Sequence, residues 1–434
     1  MYQIKSRLLV ATALMTAVCS APSSAQDVGE LTKQMEALQK QLTQLQNKVA
    51  ASEKKAASGG EKGLKVKWEP APKISSPDGN FEMNLRGRIL VDAAFISDKD
   101  NNDDIKATEF RAARLGIEGK AWKDVKYKFE ADFAGDEVTL KDAYVQWKGP
   151  AKLTFGQFKT PNSLEEQTSS RYITFMERAS FTDAFGLARQ IGIGAGFGGD
   201  NYTLNVGVFR GSNGTDNEDE GLTIAARATY GAEMGDTQLH FGASFRHRKQ
   251  GDDQSNIRYR QRPHAHLANR FVATNKIANK DTFVGFEAAS VFGPLSVQGE
   301  WAFVKADLAS PASGQQNPSF SGGYVEASYF LTGEKRSYSA KKGSFGRLKI
   351  KDPSGIGAMQ LAARYDRIDL SDEGFFGGEQ DTFLVGASWW LNRYTRFMAN
   401  YSNSSIKNAF DVSANGIDGK NTVNTFALRA QVDW

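Results

Sequence analysis

The sequence is nearly free of cysteine, and this absence excludes one class of protein at once. Its 434 residues include a single Cys, so a disulfide framework is excluded. The net charge is only +4, which gives no argument for a nucleic-acid partner. Beyond the N-terminal segment no apolar run approaches the length of a membrane-spanning helix, which excludes a helical bundle. A soluble globular protein and a membrane β-barrel remain possible. A barrel is still possible because apolar and polar residues alternate along its strands, so that no long apolar run is needed.

The first 25 residues have the pattern of a secretory signal peptide. Lys5 and Arg7 precede the apolar run 8–18, and small residues at 23–25 form a cleavage site. The apolar run is short for a membrane span, which disfavours a membrane anchor. We therefore predict an exported protein whose signal peptide covers 1–25.

Residues 26–55 are expected to form a coiled-coil helix. Apolar residues recur there at alternating spacings of four and three, namely Leu31, Met35, Leu38, Leu42, Leu45 and Val49. A helix of about three heptads is only marginally stable in isolation, so this row of apolar residues, which we call the seam, implies partner helices. The alternative is a single amphipathic helix that lies on its own domain. The small, polar and proline-containing segment 56–79 predicts a linker.

From residue 80 to residue 434 the pattern changes to strict alternation. In the segment 81–95 one face is apolar and the other is mostly charged or polar. We count sixteen such segments, of which 357–369 and 381–391 are two and 422–434 is the last. Their length exceeds that of most soluble strands and suits a tilted membrane strand. The sequence therefore predicts an all-β fold, a 16-stranded antiparallel transmembrane β-barrel.

The turns between these segments indicate which membrane the barrel occupies. Several alternate turns are very short, for example 122–123 and 149–150, and the long turn 332–356 is the exception. Short turns at one end and long loops at the other are typical of an outer-membrane barrel, which leaves the helix 26–55 in the periplasm. Sixteen strands enclose an aqueous lumen, so passage of solutes is the default function. A non-channel barrel, adhesin or structural, is the alternative.

Two long loops are expected to determine which solutes pass. The loop 160–189 is too long for a hairpin and is predicted to fold inward. The loop 249–280 contains Arg258, Arg260 and Arg262 at a period of two, with no acidic residue in the same stretch. Guanidinium groups offer bidentate donors to oxyanions, which favours a ligand-facing role for this row. For single inward arginines of the strands, pairing with inward carboxylates is favoured instead; these arginines are Arg86, Arg88, Arg114, Arg227, Arg364 and Arg429.

Five stretches of the sequence resemble one known family. They are 155–161 (FGQFKTP), 164–178 (LEEQTSSRYITFMER), 262–267 (RPHAHL), 329–334 (YFLTGE) and 427–434 (ALRAQVDW). The chain thereby resembles the phosphate-selective porin family of the porin O and porin P type, over roughly residues 80 to 434. The resemblance implies a trimeric outer-membrane channel with an inward constriction loop, an external arginine ladder and a periplasmic lysine cluster.

The resemblance also suggests roles for individual residues. Arg178 and Arg88, together with Arg171, are expected at the anion-binding constriction. Arg258, Arg260 and Arg262 are the expected ladder, and the expected lysine cluster is Lys341, Lys342, Lys349 and Lys351. The sequence departs from the family at Glu166, where the phosphate-selective members have a lysine. A carboxylate there would repel a bound anion, so a general diffusion porin with weak or no phosphate selectivity is an alternative.

The sequence gives no reason to expect an enzyme. No nucleophile motif accompanies any of the four histidines, and His264 and His266 lack a third ligand nearby for a metal. We therefore expect no cofactor, no metal and no nucleic-acid partner. The expected partners are two further copies of the chain in a homotrimer, outer-membrane lipid and small inorganic anions such as phosphate or related oxyanions.

Overall fold

Long alternating strands make up most of the chain. The computed structural model describes residues 27–58, 63–100, 103–210, 220–252, 254–410 and 419–434, and the predicted signal peptide lies outside this part of the chain. In chain order the elements are α1 (Asp27–Ser58), β1 (Lys65–Trp68), β2 (Pro72–Ser75), β3 (Glu82–Asp98), β4 (Asp103–Ala121), β5 (Val125–Asp132), β6 (Thr139–Lys148), β7 (Lys152–Lys159), α2 (Leu164–Gln167), α3 (Ser180–Ala184), β8 (Arg189–Gly198), β9 (Tyr202–Arg210), β10 (Leu222–Met234), β11 (Thr237–Lys249), β12 (Arg260–Gln261), β13 (Val272–Ala273), β14 (Ala278–Phe292), β15 (Leu295–Leu308), β16 (Ser319–Phe330), β17 (Tyr338–Ser339), β18 (Ser344–Phe345), β19 (Ala358–Asp372), β20 (Phe375–Asn392), β21 (Thr395–Lys407) and β22 (Asn421–Asp433).

The chain divides into two units, 1–64 and 65–434. In the first unit α1 is a continuous helix of 32 residues. The apolar seam predicted from the sequence is open to solvent, with exposures of 53–62% for Met35, Leu38, Leu42, Leu45 and Val49. The helix therefore presents an apolar face that a partner helix can cover, and the coiled coil stays a prediction. Neither α1 nor another helix among the described residues is both long and apolar enough to cross a membrane.

In the second unit, sixteen strands form a closed antiparallel barrel, as the sequence predicts. They are β3 to β11, β14 to β16 and β19 to β22. The last strand returns to the first, with Val423 opposite Asp98 and Asp433 opposite Arg88. Closure satisfies the backbone groups of both edge strands, which is a requirement inside a bilayer.

Side chains alternate between the two faces of the barrel wall. In β15, Val297, Trp301 and Phe303 are exposed on the outer face, whereas Gln298 and Glu300 are buried on the inner face. Apolar residues outside and polar residues inside are the arrangement of a barrel in lipid. We call the barrel end with the short turns the turn end and the opposite end the loop end.

The boundaries predicted for two strands are wrong. The segments 357–369 and 381–391 correspond to the longer strands β19 and β20, which are joined by Glu373 and Gly374. Both turn residues have positive φ angles, 49° and 81°, as a tight hairpin turn requires. Polar residues on both faces near this turn obscure the alternation in the sequence.

The segment predicted as a linker, 56–79, contains a hairpin. Its strands β1 and β2 pair with each other, and β2 also pairs with β3, placing Lys73 opposite Asn84. Strands of four residues are too short to be recognised by alternation. The hairpin therefore extends the sheet beside the first residues of β3, outside the sixteen strands that close the barrel.

Two segments fold into the lumen. The first is the constriction loop, residues 160–188 between β7 and β8, and its inward course is as the sequence predicts. The second is the turn-end segment, residues 331–357 between β16 and β19. The two meet where Leu164 and Phe345 pack together against β14. One side of the lumen is therefore filled, and an open space lies along β3 to β9.

Candidate functional site: the lumen constriction

Wall side chains hold the constriction loop by its backbone. The carboxylate of Glu300 accepts hydrogen bonds from the backbone N–H groups of Leu164 and Glu165, at 2.8 and 2.7 Å. Arg396 donates to the carbonyl oxygens of Ile173 and Thr174, both at 2.8 Å. Because a loop inside a barrel has few backbone partners of its own, such bonds fix its path.

Further wall arginines pair with carboxylates of the wall, and one of them also binds the backbone of the constriction loop. Arg429 donates to the Met176 carbonyl at 2.5 Å and also pairs with Asp92 at 2.6 Å. Arg364 pairs with Glu326 at 2.5 Å, and Arg227 pairs with Glu287 at the same distance. These strand arginines are therefore neutralised within the wall, which is the role that the sequence favoured for them.

An inner cavity of about 510 Å³ lies between the constriction loop and strands β3 to β9. The cationic side chains that line it are Arg86, Arg88, Arg114, Lys128, Lys152, Lys159, Arg171, Arg178, Arg189 and Lys342. Among the described lining residues, Asp142 is the only carboxylate. Behind the lining, Glu130 pairs with Arg86, Arg88 and Arg114, at 3.2, 3.3 and 3.4 Å. Arg86 also pairs with Glu118, and Arg114 pairs with Asp132 at 2.7 Å. These three guanidinium groups therefore have three carboxylate partners, and the excess positive charge of the lining comes from its other cations.

The predicted constriction residues lie together at this cavity. Arg88, on β3, donates to the Ser170 hydroxyl at 2.8 Å and so joins the wall to the constriction loop. Arg171 lies 3.4 Å from the Asp433 carboxylate. Arg178 donates to the carbonyls of Glu165 and Thr168, at 3.1 and 2.9 Å.

Glu166 neutralises part of this positive charge. Its carboxylate lies 3.0 Å from the Arg178 guanidinium and 3.2 Å from the Lys159 ammonium. Burial raises the pKa of Glu166 and the cations Arg178 and Lys159 lower it, and the net change is downward. The carboxylate therefore stays ionised at neutral pH, and two constriction cations share its charge.

An outer cavity of about 300 Å³ lies toward the loop end. It shares Arg114, Ser170 and Arg178 with the inner cavity, so the two cavities adjoin at the constriction. Arg262 and Arg270 also line the outer cavity. The two cavities thus lie one after the other between the outer end of the constriction and the lumen wall of β3 to β9.

The predicted ladder belongs to the outer loop, which we define as residues 250–277 between β11 and β14. Arg258 donates to the Thr274 carbonyl and lies 5.2 Å from the centre of the Phe410 ring. Arg262 donates through Nε to the Ala268 carbonyl, and burial and Arg270 lower its pKa. Within the described ranges no carboxylate pairs with the three ladder arginines, Arg258, Arg260 and Arg262. Of the three, only Arg262 lines the outer cavity.

The four predicted lysines occupy different positions. Lys342 lines the inner cavity. Lys341 is 71% exposed and pairs with Asp200 at 2.6 Å. Lys349 and Lys351 are exposed on the turn-end segment and are not among the cavity-lining residues. The sequence reasoning missed Lys128 and Lys152, although alternation along β5 and β7 would have placed both on the inner face.

Metal chemistry has no visible support in the described part of the chain. No group of three or more His, Cys, Asp or Glu side chains is arranged there to hold a metal ion. His264 instead contacts the Ser180 hydroxyl at 3.2 Å, and His266 lies 2.8 Å from the Glu109 carboxylate. Both histidines therefore join the outer loop to neighbouring elements.

Comparison with known proteins places the chain in one family. Residues 83–434 match the family model described as phosphate-selective porin O and P. An uncharacterized protein of Caulobacter vibrioides is 34% identical over 391 residues, which cover 85% of this chain and 77% of that protein. Porin O of Pseudomonas aeruginosa is 26% identical over 390 residues, 78% of this chain and 86% of that protein. The fold is also similar to a solved anion-selective porin from Comamonas acidovorans, with a TM-score of 0.54 at 11% identity over 82% of this chain and 100% of that one.

Proposed function

Because the chain belongs to the phosphate-selective porin O and P family and is an outer-membrane porin, we propose that it passes small anions by passive diffusion through an arginine-lined pore. Phosphate and related oxyanions are the proposed solutes. The observation that supports this most strongly is the excess of cationic side chains around the inner cavity, where Asp142 is the only carboxylate among the described lining residues.

The proposed path begins at the loop end. There, the ladder arginines attract anions, and Arg262, which lines the outer cavity, binds them as they enter it. At the constriction, Arg88 and Arg178 replace part of the hydration shell of the anion with guanidinium donors. Lys128, Lys152 and Lys342 then continue the positive field along the inner cavity. Several moderate sites in series allow an anion to enter and still to leave.

Glu166 supports weak rather than strict phosphate selectivity. Its carboxylate pairs with Arg178 and Lys159, two of the cations that would otherwise face a bound anion. A doubly charged phosphate suffers about twice the like-charge repulsion of a singly charged anion at the same distance. A general diffusion porin with anion preference is therefore the second candidate function.

We propose a homotrimer as the assembled state. The support from this chain is α1, whose heptad seam at Met35, Leu38, Leu42, Leu45 and Val49 is more than half exposed. An apolar seam of this length is stabilised by partner helices rather than by the isolated helix.

The decisive test is ion selectivity in a planar bilayer. With purified protein and a tenfold KCl gradient, the sign of the reversal potential is expected to show preference for chloride over potassium. Phosphate is expected to reduce the chloride current. A reversal potential of the opposite sign would refute the proposed anion preference.

A further inference from the structure

The inner cavity has an aromatic side in addition to its cationic side. Tyr144, on β6, and Phe158, on β7, both line it and are half-buried. Their rings meet edge to face with centroids 6.2 Å apart. Behind them Phe158 contacts the buried Phe209 ring, at 5.2 Å between centroids. The rings thus form a continuous aromatic surface that begins at the cavity and ends in the wall.

Glycines on the inner face of β8 make room for these rings. A Cβ atom at Gly194 would lie 3.0 Å from the Phe158 ring, and one at Gly192 would lie 2.5 Å from the Phe209 ring. Both rings therefore lie against bare backbone. Any larger side chain at these two positions would displace the rings and narrow the cavity.

The cavity is larger than an inorganic anion needs. Sites for small organic ligands commonly have volumes of about 300–1,000 Å³ and include aromatic side chains on which the ligand packs. The inner cavity falls in this range at about 510 Å³. The arginines of the cavity can bind an anionic group by bidentate donation. Its aromatic rings offer an apolar surface, with which phosphate and chloride make no favourable contact.

We propose that the inner cavity selects small organic anions that contain an aromatic ring, with aromatic carboxylates as the substrate class. The carboxylate binds the guanidinium groups at the constriction, and the ring packs on Phe158 and Tyr144. A single negative charge also suits Glu166, which repels a monoanion less than a dianion. This proposal rests on the proposed anion preference and names the solutes within it.

The test compares benzoate with acetate as blockers of chloride current in planar bilayers. The two anions have the same charged group and differ in the ring. For the unmodified protein, half-block by benzoate is expected at a concentration roughly tenfold below that for acetate. Phe158→Leu removes the ring and keeps an apolar side chain, so it should reduce the advantage of benzoate by roughly three- to tenfold. Half-block by acetate should not change.

The same strand offers a matched control. Phe155 is 46% exposed on the outer face of β7, so Phe155→Leu makes the same chemical change outside the lumen and should leave both half-block concentrations unchanged. Tyr144→Leu is a second cavity variant in case Phe158→Leu does not assemble, which its conductance in KCl alone will reveal.

The outcomes separate this proposal from the anion preference itself. A cation-selective reversal potential would refute the proposed function. An anion-selective channel that benzoate and acetate block equally would refute only the aromatic selectivity. Equal effects of Phe155→Leu and Phe158→Leu would also refute it, because the cavity ring would then not be the cause.

Discussion

Glu166 and Arg178 form an ion pair inside the constriction loop, with 3.0 Å between the carboxylate oxygen Oε2 and the guanidinium nitrogen Nε. The same carboxylate also binds Lys159 at 3.2 Å. This loop therefore contains an internal anion on the path that we propose for permeating anions.

Replacing Glu166 is expected to strengthen block by phosphate. At about 5 Å and an effective dielectric of about 20, the repulsion between two unit charges is about 3 kcal/mol before screening. Glu166→Lys should therefore lower the half-block concentration of phosphate at least about tenfold. Glu166→Gln should give a value between those of Glu166→Lys and the unmodified protein.

The control for this change is Glu137→Gln, which removes an exposed carboxylate from the loop 133–138. It should leave the phosphate block unchanged. If Glu166→Lys has no larger effect than Glu137→Gln, the carboxylate at 166 does not face the anion path.

Arg178→Ala is expected to weaken anion preference. The change removes a cation shared by both cavities and leaves Glu166 with Lys159 alone. The chloride-to-potassium permeability ratio, obtained from reversal potentials, should fall roughly two- to fivefold. Arg393→Ala, at an exposed turn residue, is the matched control. An unchanged ratio in Arg178→Ala would show that this arginine only supports the loop backbone.

Removing the ladder should slow the entry of anions from the loop end. A variant with Gln at 258, 260 and 262 loses three cations that have no carboxylate partner among the described residues. Electrostatic attraction of this kind raises association rates by about tenfold or more, and salt weakens it. The rate of phosphate block from the loop side should fall at low ionic strength and approach that of the unmodified protein at high salt. A deficit that does not depend on salt would contradict a role in attraction.

Arg396→Met should loosen the constriction loop. It leaves the carbonyls of Ile173 and Thr174 and the Ser388 hydroxyl without the donor that they have now. Each buried group left unsatisfied costs about 1–3 kcal/mol. We expect a lower midpoint in urea unfolding and larger fluctuations of single-channel current. Arg396→Lys should show the smaller loss of the two, and equal stability of Arg396→Met and the unmodified protein would refute this assignment.

The seam of α1 can be tested by cross-linking. Leu42 belongs to the exposed apolar seam, whereas Lys40 lies on the opposite face of the helix. In a trimeric coiled coil, Leu42→Cys should give covalently linked copies with a short bismaleimide, and Lys40→Cys should not. Equal cross-linking at both positions would indicate collision rather than a defined seam.

Alternation in the sequence is enough to predict the barrel, because each strand must present an apolar side chain to lipid at every second residue. It fails where that constraint is relaxed. The hairpin of β1 and β2 is too short to show a period, and polar residues hide the ends of β19 and β20. The sequence also suffices to predict that the loop 160–188 folds inward, because this loop is too long for a simple hairpin.

The sequence by itself thus determined the strand number and the polarity of the two faces. Only the tertiary structure decided which cations are available to a solute. Arg396 and Arg429 bind loop carbonyls, Arg178 shares its charge with Glu166, and Lys342 alone of the four predicted lysines lines the inner cavity. The physical reason is that ion pairing depends on distances between residues far apart in the chain, whereas alternation depends only on neighbours.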